Sequence, residues 1–319
     1  MSEGFDVITM GRVGVDLYPE QVGVKLEDVR TFQKSLGGSA TNVAVAAARL
    51  GARSAVITKV GDDPFGNYVR QALDGFGVDP RWVSTDPNLR TPLVFCEIHP
   101  PDDFPLLFYR EPKAPDLNIE PDELDLDAIR AARLVWTTGT GLSQEPSRSA
   151  TLVALETRRE AADAITVHDL DHRPALWSDD REARRWARVA VGLATVAVGN
   201  ETEVEVTVGT PDPREGAQAL LELGVELAIV KRGPNGVLAR TRDELIELEP
   251  VRLEVLNGLG AGDAFGGSLS YALVNGWEPE RALRLANAAG ALVASRLACA
   301  DDMPTLAELR ELVGEEIEA

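Results

Sequence analysis

Asn257-Gly258-Leu259-Gly260-Ala261-Gly262-Asp263-Ala264-Phe265 sets three glycines and a carboxylate in front of a long apolar-periodic run. Residues this small let successive backbone N–H groups converge, and a helix start leaves those donors unpaired at the positive end of the helix dipole. Gly260, Ala261 and Gly262 are therefore candidates to stabilise an anionic group while its charge redistributes in transfer. The same field favours ionised Asp263, the form required of a base that takes a proton from an attacking hydroxyl. Taken alone, the pattern also reads as a glycine-shaped turn with a capping aspartate. It lacks the GxxxxGK(S/T) and GxGxxG spacings, which sets aside the two commonest phosphate cradles.

Two further features point to a polyhydroxylated ligand. Gly37-Gly38 precedes a helix of small residues carrying Asn42, so backbone and amide can approach a ligand closely. Asp16, expected at the end of the first strand, offers a carboxylate able to accept two hydroxyl hydrogen bonds.

The elements that must position these groups alternate. Short β-branched runs (Val7–Met10, Ser54–Val60, Leu134–Thr138, Ala164–His168, Thr195–Val198, Leu227–Val230) are separated by segments of helical period (Ala40–Leu50, Phe65–Phe76, Ser147–Ala162, Pro213–Leu223, Ala261–Leu297). That alternation predicts an α/β fold, a mostly parallel sheet covered by helices. Two stretches break the rhythm, Gly14–Ser35 and Arg90–Lys113, the second with a Pro-Pro-Asp-Asp turn between strand-like runs and no helix after it. We read residues 1–319 as one domain with a small strand-built lid over roughly 14–35 and 90–113.

Composition narrows the partners. The 32 basic against 52 acidic residues give a net charge of −20, which repels nucleic-acid backbones and anionic lipid, so neither partner is expected. An anionic ligand must then meet donors arranged locally. Cys96 and Cys299 lie far apart without a CxxC spacing, which suggests neither a disulfide framework nor a zinc knuckle. The start Ser2-Glu3-Gly4-Phe5-Asp6 has no basic, apolar leader, and no run approaches the roughly 18 apolar residues of a membrane span. A cytoplasmic protein is expected. The lid's strand edges are equally open to pairing as a homodimer or to a monomer.

Together the Gly-Gly segment and the GAGD turn, in that order along nearly the whole chain, resemble the PfkB, or ribokinase-like, carbohydrate kinases. The resemblance implies a three-layer α/β/α sandwich with a β-strand lid, ATP as phosphoryl donor and Mg²⁺ as companion ion. It also implies that Asn200 and Glu203 of Asn200-Glu201-Thr202-Glu203 order the magnesium. Lys231, Gly233 and Gly236 of Lys231-Arg232-Gly233-Pro234-Asn235-Gly236 would lie beside the nucleotide, and Asn287 and Gly290 would border the adenine.

Within the family, Gly11–Pro19, Tyr109–Asp116, Asp169–Pro174 and Cys299–Pro304 are similar to the subgroup acting on 5-dehydro-2-deoxy-D-gluconate, a sugar acid of myo-inositol breakdown. Asn257, where many relatives carry an acid that helps shape a monovalent-cation loop, fits that subgroup and leaves K⁺ open. A sugar acid needs cationic donors, and Arg110 and Arg173 are the candidates, since a guanidinium grips a carboxylate with two parallel bonds. Kinases of 2-keto-3-deoxygluconate or fructose are the alternatives within the class. A sugar- or nucleotide-sensing binding protein on a degenerate scaffold is the alternative outside it. His168 and His172, four apart, end a strand-like run before Pro174, so a zinc pair is not expected.

Overall fold

A computed structural model describes residues 4–161 and 164–314. Its strands are β1 (Val7–Met10), β2 (Gly14–Pro19), β3 (Phe32–Gly37), β4 (Ser54–Gly61), β5 (Val78–Asp79), β6 (Val83–Asp86), β7 (Leu93–Cys96) and β8 (Leu106–Tyr109). They continue with β9 (Leu134–Thr138), β10 (Ile165–Asp169), β11 (Val196–Asn200), β12 (Leu227–Lys231), β13 (Val237–Arg240) and β14 (Leu245–Leu248). The large sheet runs β14-β13-β12-β11-β10-β9-β1-β4-β5, with β6 also on β4. It is parallel from β12 to β5, and only β13 and β14 turn antiparallel. β1, β4 and β9 are buried along their whole length, as helices on both faces of a parallel sheet require.

The two excursions pair with each other. They build a separate sheet ordered β3-β2-β7-β8, in which Asp16 lies opposite Ser35 on one side and Val94 on the other. Asp16 is thus not at the end of β1, as expected from sequence. The turn at residues 11–13 intervenes and delivers it to the middle of β2.

The helical stretch Ala261–Leu297 is two helices, Ala261–Val274 and Pro279–Ala294. Gly276 at φ 71° ends the first and Pro279 opens the second, the usual division of labour between glycine after a helix and proline in its first turn. The expected Ser147–Ala162 helix spans Ser147–Arg159, and Ala162 lies outside the described residues.

One helix contact sets the site. Ser39–Arg49, where Ala44, Ala46 and Ala47 are buried, crosses Ala261–Val274 at Gly266 and Gly267. A Cβ on Gly267 would fall 2.3 Å from Ala46 Cβ and 2.6 Å from the Val43 carbonyl, and one on Gly266 would meet the buried Trp136 ring at 2.6 Å. The helices touch backbone to backbone, at a separation no larger residue permits.

Gly267→Ala is therefore expected to destabilise the protein by about 1–3 kcal/mol through overpacking. Gly75→Ala, which meets nothing within 4 Å, should be neutral or stabilising by about 0.4–1 kcal/mol. Urea titration of both variants checks the opposite signs.

Candidate active site

The carboxyl ends of parallel strands leave a crevice at which α/β proteins bind ligands. Here the ends of β1 and β10, the start of the Ser39–Arg49 helix, the Gly260 turn and the inner face of the small sheet line one cavity. Arg12, Asp16, Asn42, Arg110, Arg173 and Asp263 all face it.

Asp263 does not cap its helix. The N-cap is Gly260, with no side-chain capping bond, and Asn42 Nδ2 donates instead to Asp263 Oδ2 at 2.8 Å. Burial raises the Asp263 pKa to about 6. Asn42 Oδ1 is buried without a hydrogen-bond partner among the described residues, an acceptor left for a hydroxyl. Nor do the N–H groups of Gly260, Ala261 and Gly262 find a backbone acceptor among the described residues. Gly260 stands at φ 80°, and a Cβ there would lie 2.5 Å from Cys299 Sγ, so only glycine keeps the turn in place.

Lys231, at the end of β12, brings a cation to this turn. Its Nζ lies 3.3 Å from where a Gly262 Cβ would stand and 3.8 Å from Asp169 Oδ2. Burial opposes the Lys231 charge, but Asp169, Glu203, Asp263 and Asp171 outweigh it and raise its pKa. Asp169 is pushed up to about 7 by burial, against the pull of Lys231.

Across the cavity Asp16 accepts from Tyr18 Oη at 3.2 Å. Burial raises its pKa to about 6, with the charge of Asp263 adding to the rise. A Cβ on Gly37 would sit 2.1 Å from Asp16 Oδ1, and one on Gly38 2.5 Å from the Arg12 carbonyl. The glycine pair thus makes room for the Asp16 carboxyl and the turn beside it.

Both expected arginines reach the cavity and both carry a carboxylate. Arg110 Nη2 donates to Asp116 Oδ1 at 2.5 Å, and Asp116 Oδ2 accepts from the Val13 amide. Arg110 Nε is buried without a partner among the described residues. Arg173 Nη2 lies 3.0 Å from Asp171 Oδ1.

Other expected residues are placed differently. Asn200 and Glu203 form a reciprocal capping box on the Glu201–Val208 helix, Asn200 Oδ1 accepting from the Glu203 amide and Glu203 Oε2 from the Asn200 amide. Gly233 and Gly236 shape a short turn after β12. Asn287 donates to the Glu249 carbonyl, and Gly290 packs on the Ala261 carbonyl. None of these six lines the cavity. Asn257 is fully buried, its Nδ2 donating to the Leu297 carbonyl and its Oδ1 accepting from the Leu259 amide, which ties the glycine turn to the Leu297 loop. His168 and His172 take separate protein partners, Thr137 and Asp180. Among the described residues, no three His, Cys, Asp or Glu cluster as metal ligands. Arg12, Asp169 and Asp171 were not expected, although they fall inside the Gly11–Pro19 and Asp169–Pro174 segments.

At the ends of the parallel strands the glycine turn leaves its amides open beside a carboxylate, and the chain belongs to the pfkB family of carbohydrate kinases, a class of phosphotransferases, whose sequence model matches residues 5–306. It is 37% identical over 94% of its length to a 5-dehydro-2-deoxygluconokinase of Photobacterium profundum, covering 92% of that protein. It is 33% identical over 98% to another of Shouchella clausii, covering 96%. A double-mutant fructokinase of Vibrio cholerae O395, solved with fructose, ADP and potassium ion bound, superposes with a TM-score of 0.86 at 28% identity, covering 98% of this chain and 100% of that one. Among the described residues no helix is long and apolar enough to cross a membrane.

With Asp263 and Asp16 both raised to about 6, a reaction that uses both as carboxylates should lose kcat/KM as pH drops through about 6. Two protonations steepen that limb beyond one log unit per pH unit, and Asp16→Asn should return its slope to one. A profile flat from pH 5 to 7 would show that turnover needs neither carboxylate ionised.

Proposed function

We propose that the chain transfers the terminal phosphoryl group of ATP to the primary hydroxyl of 5-dehydro-2-deoxy-D-gluconate. The observation that carries this reading is Asp263, held by Asn42 in a cavity it shares with Asp16, the open amides of the Gly260 turn and a set of arginines. The full-length likeness to the two 5-dehydro-2-deoxygluconokinases supports the substrate.

In this reading Asp263 takes the hydroxyl proton as the oxygen bonds to phosphorus and the bond to the ADP oxygen breaks. The amides of Gly260, Ala261 and Gly262 meet the charge on the transferring group, and Lys231 adds a cation from the side. Asp16 and Asn42 hold sugar hydroxyls beside the Gly37-Gly38 backbone, and Arg110 and Arg173 receive the acid end. Lys231, Gly233, Gly236 and Asn287 border the nucleotide. The small sheet over 14–35 and 90–113 acts as the lid that keeps water from the phosphoryl group.

Magnesium arriving with the nucleotide keeps most of its waters and needs few protein oxygens. Glu203 retains Oε1 after Oε2 caps its helix, and Asp169 is near enough for its pKa to feel the Glu203 charge, so this pair suits a water-mediated hold. Asn200, its oxygen engaged in the cap, acts by fixing Glu203. Bound there, the ion would neutralise phosphate charge.

ATP turnover on 5-dehydro-2-deoxy-D-gluconate, 2-keto-3-deoxygluconate and fructose tests the assignment, with the first expected to give the highest kcat/KM. Asp263→Asn should lower kcat by roughly 10²- to 10⁴-fold in a folded protein. Near-normal turnover in that variant would remove the base. No turnover on any sugar by the wild type would leave a binding protein.

A further inference from the structure

The three arginines lining the cavity are not equivalent. Arg110 has Asp116 to itself, whereas Arg12 and Arg173 share one carboxylate, Asp171. Arg12 Nη2 lies 3.3 and 3.5 Å from the two Asp171 oxygens, its Nε donates to Thr140 Oγ1 at 3.2 Å and its Nη2 to Ser39 Oγ at 3.3 Å. Its Nη1 takes no protein acceptor among the described residues. The side chain is 9% exposed, against 43% for Arg173.

Asp171 is held from every side. Ser39 Oγ and Thr140 Oγ1 both donate to its Oδ2, at 2.9 and 3.0 Å. Its backbone stands at φ 28°, and it is the one non-glycine described with a positive φ, a conformation that persists only where the surroundings enforce it.

Two guanidiniums meet on one carboxylate, and Arg12 also feels the charges of Asp16 and Asp263 across the cavity, but among the described residues neither of those acids hydrogen-bonds to it. At the ends of the neighbouring strands β1, β9 and β10 the molecule presents a buried, preorganised guanidinium whose Nη1 is left for a ligand.

We infer that Arg12 is a further specificity-determining residue that joins Arg110 and Arg173 at the substrate carboxylate, and that Asp171 positions the Arg12 and Arg173 guanidiniums. This rests on the sugar-acid reading above. Arg12, deep and desolvated, fixes the acid, while the more exposed Arg173 closes on it from the rim.

The test compares wild type, Arg12→Lys, Arg12→Met and Asp171→Asn, with thermal unfolding as the check on folding. Arg12→Lys keeps a cation opposite Asp171, so the fold survives, but it loses the planar fork. Its KM for 5-dehydro-2-deoxy-D-gluconate should rise about tenfold with kcat within about threefold. Arg12→Met should raise that KM further. Competitive inhibition by D-gluconate should weaken in parallel, while inhibition by D-sorbitol, which carries a CH₂OH in place of the carboxylate, stays unchanged. Asp171→Asn should weaken gluconate and spare sorbitol, a split that loss of structure alone would not give. If both inhibitors weaken equally, or neither does, Arg12 does not read the acid, while the sugar-acid assignment stands on the wild type's preference for gluconate. If the wild type itself does not separate gluconate from sorbitol, that assignment fails and the inference with it.

Discussion

The hydrogen bond between Asn42 and Asp263 joins residues on two different helices, and it forms only because those helices meet at backbone distance. Gly266 and Gly267 allow the approach against Ala46, Val43 and Trp136. The consequence reaches both ends of the reaction. The same approach fixes the open amides of the Gly260 turn relative to Asn42, and Asn42 relative to Gly37-Gly38 and Asp16. A looser contact would keep every residue yet misplace the base, and displacements of about 1 Å are costly in catalysis.

A chain of net charge −20 that handles anions must concentrate its cations, and β10 is where it does so. Asp169, at the strand's end, faces Lys231, and two residues on Asp171 faces Arg12 and Arg173. The Asp171 amide donates to Asp169 Oδ1 at 3.1 Å, so one short segment anchors both groups of cations. Burying carboxylates is unfavourable unless they are paired. Here the pairing holds the cations in fixed positions before any ligand arrives, and preorganised charge is what phosphoryl transfer and acid recognition both draw on.

The fold was legible where the signal is local. Val7–Met10 and Leu134–Thr138 have the bounds their β-branched runs predict, and the two excursions were marked by what they lacked, a helix. The Asp180–Val191 helix was missed because its buried face is Ala183, Ala187, Ala190 and Val191, nearly all alanine, which barely stands out as apolar. Asn200-x-x-Glu203 is also the pattern of a capping box. The structure puts both residues to that use, with Glu203 Oε1 left over.

The site was legible only in part for a different reason. Asp263, the glycines and Asn42 announce themselves through composition and through their place before a helix. Arg12 and Asp171 are separated by 159 positions, and nothing in either neighbourhood indicates the other. What brings them together is strand order: β1 and β10 both lie against β9, so the residues that follow them emerge side by side. A sequence can therefore suggest that an arginine after β10 faces an acid substrate. That a second arginine shares its carboxylate follows only from the order in which the strands assemble.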